Sequence, residues 1–129
     1  MATEILVNDG GAPARILPFV AGEAITAGWP VQVKSDGKIE GTTTNFASVG
    51  FALNDAAAAN DRVNVITGSG VILRAMCANG TTVGDMMSIN NNQLEDNANG
   101  TGAADDDIVA VALEANASGG TALAKVLVI

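Results

Sequence analysis

The stretch VGFALNDAAAANDRVNVI, from Val49 to Ile66, has a close counterpart in VAVALEANASGGTALAKVLVI, from Val109 to Ile129. Each begins with a small apolar run that ends in Ala-Leu followed by an amide or an acidic residue. An Ala-rich stretch comes next, and alternating aliphatic residues close the pattern. This similarity predicts that the chain contains one structural unit twice.

The repeat extends towards the N-terminus from both stretches. ITAGWPVQVKSDGKIE, which precedes the first, aligns with TTVGDMMSINNNQLED, which precedes the second. We therefore expect two half-repeats, residues 25–66 and 81–129, with Gly28 and Gly84 in equivalent turns. The segment TGSGVILRAMCANG between them predicts a connecting strand flanked by turns.

Each half-repeat has the pattern of short β-strands. PVQV alternates apolar and polar residues with the period of two that is typical of a half-buried strand. SDGK is an Asp-Gly turn of the kind that hairpins favour, and RVNVI and AKVLVI alternate in the same way. NDAAAAND can form a turn or two of helix, capped by Asn54 or Asp55.

These patterns predict an all-β protein: a compact β-barrel or β-tulip-like domain built from two pseudo-repeated halves, with an extended N-terminal arm. A half made of a few short strands has exposed edges, and closing the halves on each other removes them. We expect each half to supply half of one shared core. Residues 1–20 form the arm in this interpretation, and residues 21–129 form the single β domain.

Composition and charge exclude several classes of protein. The net charge is −8, from six basic and fourteen acidic residues, and the basic residues are too scattered to neutralise nucleic acid phosphates. No apolar run approaches the roughly 20 residues of a membrane-spanning helix. The start, MATEILVNDGG, lacks the features of a signal peptide, so we expect synthesis and retention in a cytoplasm. Nucleic acid and membrane are therefore not expected partners.

The sequence offers little for catalysis or for metal binding. It contains no His and no Tyr, and its lone Cys77 lies in an apolar run and is expected to be a buried small hydrophobe. The acidic run Asp105–Asp107 is interpreted as a solvated loop, although a Ca²⁺ site of oxygen ligands is an alternative. We expect no cofactor and no enzyme, with a hydrolase based on paired carboxylates as the weakest alternative.

Several motifs together resemble the small head decoration, or capsid cement, proteins of tailed bacteriophages, over roughly residues 18–129. They are Ala-Gly-x-x-Ile-x-x-Gly at Ala21–Gly28, Val-Gly-x-Ala-x-x-x-Ala at Val49–Ala56, Arg-Val-x-Val at Arg62–Val65 with Gly70-Val71, and Ala-Leu-Glu-Ala with Gly119-Gly120. The motifs are made of turns and strand cores, so they indicate a fold and a structural role rather than a reaction.

The resemblance implies a structural virion protein that binds the outer surface of the phage head. Such proteins cement neighbouring subunits of the major capsid protein, often as homotrimers at three-fold positions, and stabilise the head against the pressure of packed genome. The partners implied are the major capsid protein and further copies of this chain. A non-catalytic β-barrel binding or accessory module of an enzyme complex is the alternative function.

Two sets of residues are candidates for contacts with these partners. The N-terminal arm carries a β-prone run that we expect to add as a strand to a neighbouring subunit or to the capsid shell; its residues are Thr3, Glu4, Ile5, Leu6 and Val7. An arm folded back on its own domain is the alternative. Trp29 and Phe51, the bulky residues beside the repeated turns, are candidates for an interface between identical subunits, although Trp29 could equally lie in the core.

Overall fold

The computed structural model describes residue 5 and residues 13–42, 48–96 and 108–129. These residues form ten β-strands and no helix, so the predicted all-β class is confirmed. In chain order the strands are β1 (Arg15–Val20), β2 (Pro30–Val33), β3 (Ile39–Gly41), β4 (Ser48–Ala52), β5 (Arg62–Thr67), β6 (Ile72–Cys77), β7 (Met86–Asn90), β8 (Gln93–Asp96), β9 (Ala110–Ala112) and β10 (Ala122–Val128).

The strands form two five-stranded sheets with the same order of neighbours. The first sheet runs β1-β5-β4-β2-β3, and the second pairs in a closed order, β10-β6-β8-β7-β9. The closing contact of the second sheet is a parallel pairing of Cys77 with Leu94. In the first sheet the corresponding contact is a parallel bridge between Ala21 and Ile39. Each half of the chain is therefore a small barrel-like unit.

The two halves repeat each other down to single hydrogen bonds. Gly28 and Gly84 both have a φ of 91° in equivalent turns, as predicted. The Gly28 N–H donates to the Ala52 carbonyl at 2.9 Å, and the Gly84 N–H donates to the Ala112 carbonyl at 2.8 Å. A left-handed φ favours glycine because it has no Cβ, which explains why both copies keep glycine here.

The repeat begins one strand earlier than the sequence alignment indicates. β1 pairs antiparallel with β5 along its whole length, and β6 pairs with β10 in the same manner. β1 and β6 are therefore equivalent first strands of the two halves, which span residues 15–67 and 72–128. Part of the segment assigned to an N-terminal arm, residues 15–20, lies within the first sheet.

Two hydrophobic cores occupy the molecule, one inside each half, and not the single shared core that was expected. The cause is the near closure of each sheet, which lets its strands turn one face inward on their own half. The first core contains Ala21, Ile25, Val31, Ile39, Ala52, Ala56, Val63 and Val65. The second contains, from its own half, Val71, Leu73, Ala75, Cys77, Met87, Ile89, Leu94, Ala110, Ala112, Ala124 and Val126.

The first half also contributes side chains to the second core. Phe51 and Ile66, neighbours in register on β4 and β5, point away from the first core and are buried in the second. The turn at Gly28 docks beside them, because the Gly28 carbonyl accepts a hydrogen bond from the Met76 N–H at 2.9 Å. A Cβ at Gly28 would collide with Leu123. The junction of the halves is thus closely packed.

The loop NDAAAAND does not form the predicted turn of helix. The Asn54 side chain accepts a hydrogen bond from the Asn64 N–H at 2.8 Å, which ties the loop to β5. At the other end, an Asp61 carboxylate oxygen accepts from the N–H groups of Ala57 and Ala58, at 3.1 and 3.2 Å. Asn and Asp side chains compete with helical hydrogen bonds in this way, and in this segment they stabilise a loop instead of a helix.

Candidate interaction surface

The thiol of Cys77 is unsuited to nucleophilic chemistry. Its side chain is fully buried, as the sequence predicted. Burial, reinforced by the negative charge of Glu114, raises the pKa of Cys77 to about 12. Because the thiolate is the reactive form of cysteine, the group stays protonated and inert near neutral pH.

No cluster of three or more His, Cys, Asp and Glu side chains able to hold a metal ion occurs among the residues that the structure describes. The acidic run Asp105–Asp107 lies outside those residues. In the described ranges there is also no helix with the length and apolar character needed to cross a membrane.

A cleft of about 270 Å³ lies between the two halves. Phe51, Ile66 and Leu73 form part of its apolar wall, and the hydroxyl groups on its lining belong to Ser48, Thr67 and Ser69. None of the described residues that line the cleft has an ionisable side chain.

Strand β1 presents an apolar surface to solvent. Its sequence is RILPFV, and Ile16, Leu17 and Val20 are 45%, 43% and 43% exposed. Phe19 is half-buried. Burial of apolar surface stabilises a protein by about 25 cal/mol per Å², so large aliphatic side chains are normally buried. Ile16 and Val20 lie on one face of β1 and Leu17 on the other. With exposed aliphatic side chains on both faces, β1 is a candidate surface for contact with another molecule.

The equivalent strand β6 is covered. Leu73, the counterpart of Leu17, is 0% exposed. The N–H groups along the edge of β6 that faces away from β10 donate to three other segments of the chain. The pairs are Arg74 with the Ile5 carbonyl at 2.6 Å, Met76 with the Gly28 carbonyl at 2.9 Å, and Ala78 with the Leu94 carbonyl at 2.8 Å.

Among the described residues, only one of these three contacts has a counterpart on β1. The Gly22 N–H donates to the Ile39 carbonyl at 2.7 Å, as Ala78 does to Leu94. The position of Met76 is taken by Val20, and that of Arg74 is taken by Pro18, which has no N–H to donate. Within the part of the chain that the structure describes, the edge of β1 therefore has no counterpart of the contact with Ile5 and no docked turn like the one at Gly28.

A groove of about 540 Å³ opens where that turn would dock on the first half. Its walls are the exposed side of β1 and the tip of the β2–β3 hairpin. The lining residues are Pro18, Phe19, Val20, Asp36, Gly37, Lys38 and Arg62. The groove therefore has an apolar floor with two basic side chains and one acidic side chain at its rim.

Of the five arm residues predicted to contact a neighbour, the structure describes Ile5, and Ile5 contacts its own chain. Ile5 is 3% exposed and is part of the second core, and its carbonyl accepts the hydrogen bond from Arg74. For Ile5 this favours the alternative of an arm folded back on its own domain. The other arm candidates, Thr3, Glu4, Leu6 and Val7, lie outside the described residues, and their contact with a neighbour or with the shell stays a prediction.

The two bulky interface candidates differ in how much surface they offer. Phe51 is 3% exposed and joins the two halves of its own chain, so it presents almost no side-chain surface to another subunit. Trp29 is half-buried and packs against the first core. A role for Trp29 at a subunit interface stays a prediction.

Strand β1 was not predicted, although the sequence contains a signal for it. ILPFV, from Ile16 to Val20, is an uninterrupted apolar run with a proline in its middle. Proline inside a strand indicates an edge position, because it cannot donate to a neighbouring strand. That combination was the available signal for an exposed apolar edge.

Residues 12–67, which include strands β1 to β5, match the family described as phage cement protein. The resemblance inferred from the motifs is thereby confirmed for this segment. It supports a structural, capsid-associated role in a phage, in a kind of protein that is not an enzyme. No curated protein matches the chain.

Proposed function

We propose that this chain is a structural virion protein that binds the outer surface of a phage capsid, as a homotrimer, and cements neighbouring subunits of the major capsid protein. The observation that carries this proposal is the match of residues 12–67 to phage cement proteins. The matched segment contains the exposed strand β1 and the groove beside it, which are surfaces suited to assembly. The joined subunits resist the pressure of packed genome.

The N-terminal arm is the part that we assign to the shell. Ile5 fixes one point of the arm on the second core, and Thr3, Glu4, Leu6 and Val7 flank that point. An anchored segment loses less conformational freedom when it binds a partner than a free terminus does. Strand addition by these residues to an edge of the major capsid protein would supply main-chain hydrogen bonds.

The test uses heads of the encoding phage purified from a mutant that lacks this gene. Added wild-type chain should bind the outside of the heads in a saturable manner and raise the temperature at which they release DNA. A chain with residues 2–4 deleted, which keeps Ile5, should stay folded and bind heads less tightly. Absence of the wild-type chain from purified virions, or its copurification with an enzyme subunit instead, would contradict the proposal.

A further inference from the structure

The contact between the two halves of one chain uses a defined set of side chains. The first half supplies the turn at Gly28, whose neighbour Ala27 packs against the second core together with Leu53. Phe51 and Ile66 are buried in that core. The second half supplies the edge of β6, where Met76 donates to the Gly28 carbonyl. The first half is thus the inserting partner, and the second half is the receiving partner.

The second half has an equivalent of this inserting surface, centred on the turn at Gly84. Within the described ranges, nothing covers that turn. Val83, the equivalent of Ala27, is 60% exposed. A Cβ placed on Gly84 would meet no atom within 4 Å, whereas one on Gly28 would collide with Leu123. Val111 and Leu127 pair in register on β9 and β10 as Phe51 and Ile66 do on β4 and β5, and both are only half-buried.

The first half has a surface on β1 that is equivalent to the receiving edge of β6 and could accept the Gly84 turn. The groove beside β1 lies at the position where the Gly28 turn sits on the second half, with Val20 in the place of Met76. Ala21 donates to the Asp61 carbonyl on the β5 side. Because N–H groups alternate along a strand, Val20 directs its N–H away from β5 and towards the groove.

We propose that the groove binds the Gly84 turn of a second copy of this chain, in the way that the Gly28 turn docks on β6 within one chain. In this contact the Val20 N–H donates to the Gly84 carbonyl of the second copy, and Val83 enters the apolar floor of the groove.

Charge favours the same arrangement. Among its described lining residues, the groove carries the basic Lys38 and Arg62 and one acid, Asp36. The inserting turn, residues 82–85, carries Asp85 and no basic residue. Two molecules with a net charge of −8 repel each other at long range. A local pairing of opposite charges therefore makes this relative orientation more favourable than others.

The two surfaces of this contact are different, so the contact is head-to-tail. A head-to-tail contact repeats until it closes into a ring or continues as a filament. A closed ring of three copies contains six similar barrel-like halves around one axis. The contact between neighbouring chains then resembles the contact between the two halves of one chain. The inference concerns only contacts between copies of this chain, and it does not rest on binding to a capsid.

The experiment measures the mass of the purified chain in solution by analytical ultracentrifugation over a concentration series. The wild-type chain should form a ring at high concentration. Val83→Glu alters only the inserting turn, and Val20→Glu alters only the groove. Both side chains are substantially exposed, and Val20 lies beside Arg62 in register, so neither substitution should prevent folding. Each variant alone should be monomeric.

An equimolar mixture of the two variants tests the direction of the contact. A Val20→Glu chain keeps an intact turn, and a Val83→Glu chain keeps an intact groove. The mixture should therefore form a complex of two chains, and it should not form a ring because the remaining surfaces are blocked. A mixture that stays monomeric although both variants are folded would overturn the proposal.

Ala117→Glu is the matched control. It adds the same charge to an exposed position in the second half, and its equivalent in the first half, Ala57, is exposed too, so this position is not buried by the contact between the halves. This variant should assemble as the wild type does. The proposal is also overturned if the wild type stays monomeric throughout the series, or if Val20→Glu and Val83→Glu assemble normally. Binding to heads is measured separately, so a failure here is distinct from a failure of the capsid proposal.

Discussion

Strands β1 and β6 occupy the same place in the two halves, yet they have opposite relations to solvent. Leu17 on β1 is 43% exposed, and Leu73 on β6 is 0% exposed. Both strands are apolar and pair with their neighbours in the same register. The difference arises from what covers the edge and the open side of each strand. Ile5 and the Gly28 turn cover β6, and no described residue does the same for β1.

The largest expected effect comes from truncating the equivalent leucines. Leu73→Ala should lower the free energy of unfolding by about 3 to 4 kcal/mol, because it leaves a cavity in a closed core. Leu17→Ala should cost about 1 kcal/mol or less in the monomer, because its side chain is already partly hydrated. Urea denaturation at low protein concentration measures both values.

The pair also serves as its own control, since the two substitutions remove the same atoms. Equal losses of stability for Leu17→Ala and Leu73→Ala would show that the first half is closed as tightly as the second. The comparison between β1 and β6 would then be wrong.

A smaller effect is expected from the single arm residue that completes the cover of β6. Ile5→Ala should lower the free energy of unfolding by about 2 kcal/mol, because it removes buried apolar atoms from the second core. Ile16→Ala, at a 45% exposed position of β1, is the matched control and should cost clearly less. Thermal denaturation followed by circular dichroism measures the two melting temperatures.

If Ile5→Ala leaves the melting temperature unchanged, the arm does not stabilise the second half. The covered state of β6 would then have to come from the Gly28 turn alone.

Much of the fold could be predicted because it depends on local patterns. The alternating residues of PVQV, with Val31 buried, and the Asp-Gly turn at Gly37, where φ is 83°, gave the β2–β3 hairpin directly. The equivalence of Gly28 and Gly84 followed from aligning the sequence with itself. These features need only the period of a strand and the φ preference of glycine.

The remainder depends on contacts between segments far apart in the chain. Asn116 illustrates this: its side-chain amide donates to the carbonyls of Cys77, Ala78 and Gly120 at 2.9 to 3.2 Å. Its counterpart in the first half is Ala56, which bridges Ile25 without any such bonds. No local pattern distinguishes these positions. The closing of two separate cores, and hence the burial of Phe51, has the same long-range origin.

The smallest effect concerns pH and the thiol of the second core. Burial holds the pKa of Cys77 near 12, above its usual value of 9.0. The folded state therefore retains a proton that the unfolded chain loses, and stability falls as the pH rises from about 9 towards 12. Cys77→Ala, which installs the residue of the equivalent position Ala21, should cost about 1 kcal/mol near neutral pH and remove this alkaline loss.

The measurement is the free energy of unfolding of both proteins at about pH 7 and about pH 10. The wild type should lose more stability between the two conditions than the variant does. Equal losses would show that the thiol ionises as readily in the folded protein as in the unfolded chain.

Pro18 gives β1 a property that matters before any assembly takes place. An exposed apolar strand edge is the usual template for runaway β-aggregation, in which further strands add to its unpaired N–H groups. Pro18 interrupts this template, because proline has no backbone N–H to donate from the edge of β1 that faces away from β5. A newly made chain with this proline should therefore be less prone to edge-to-edge aggregation than one with an unbroken row of N–H donors, while its apolar side chains stay available for contact.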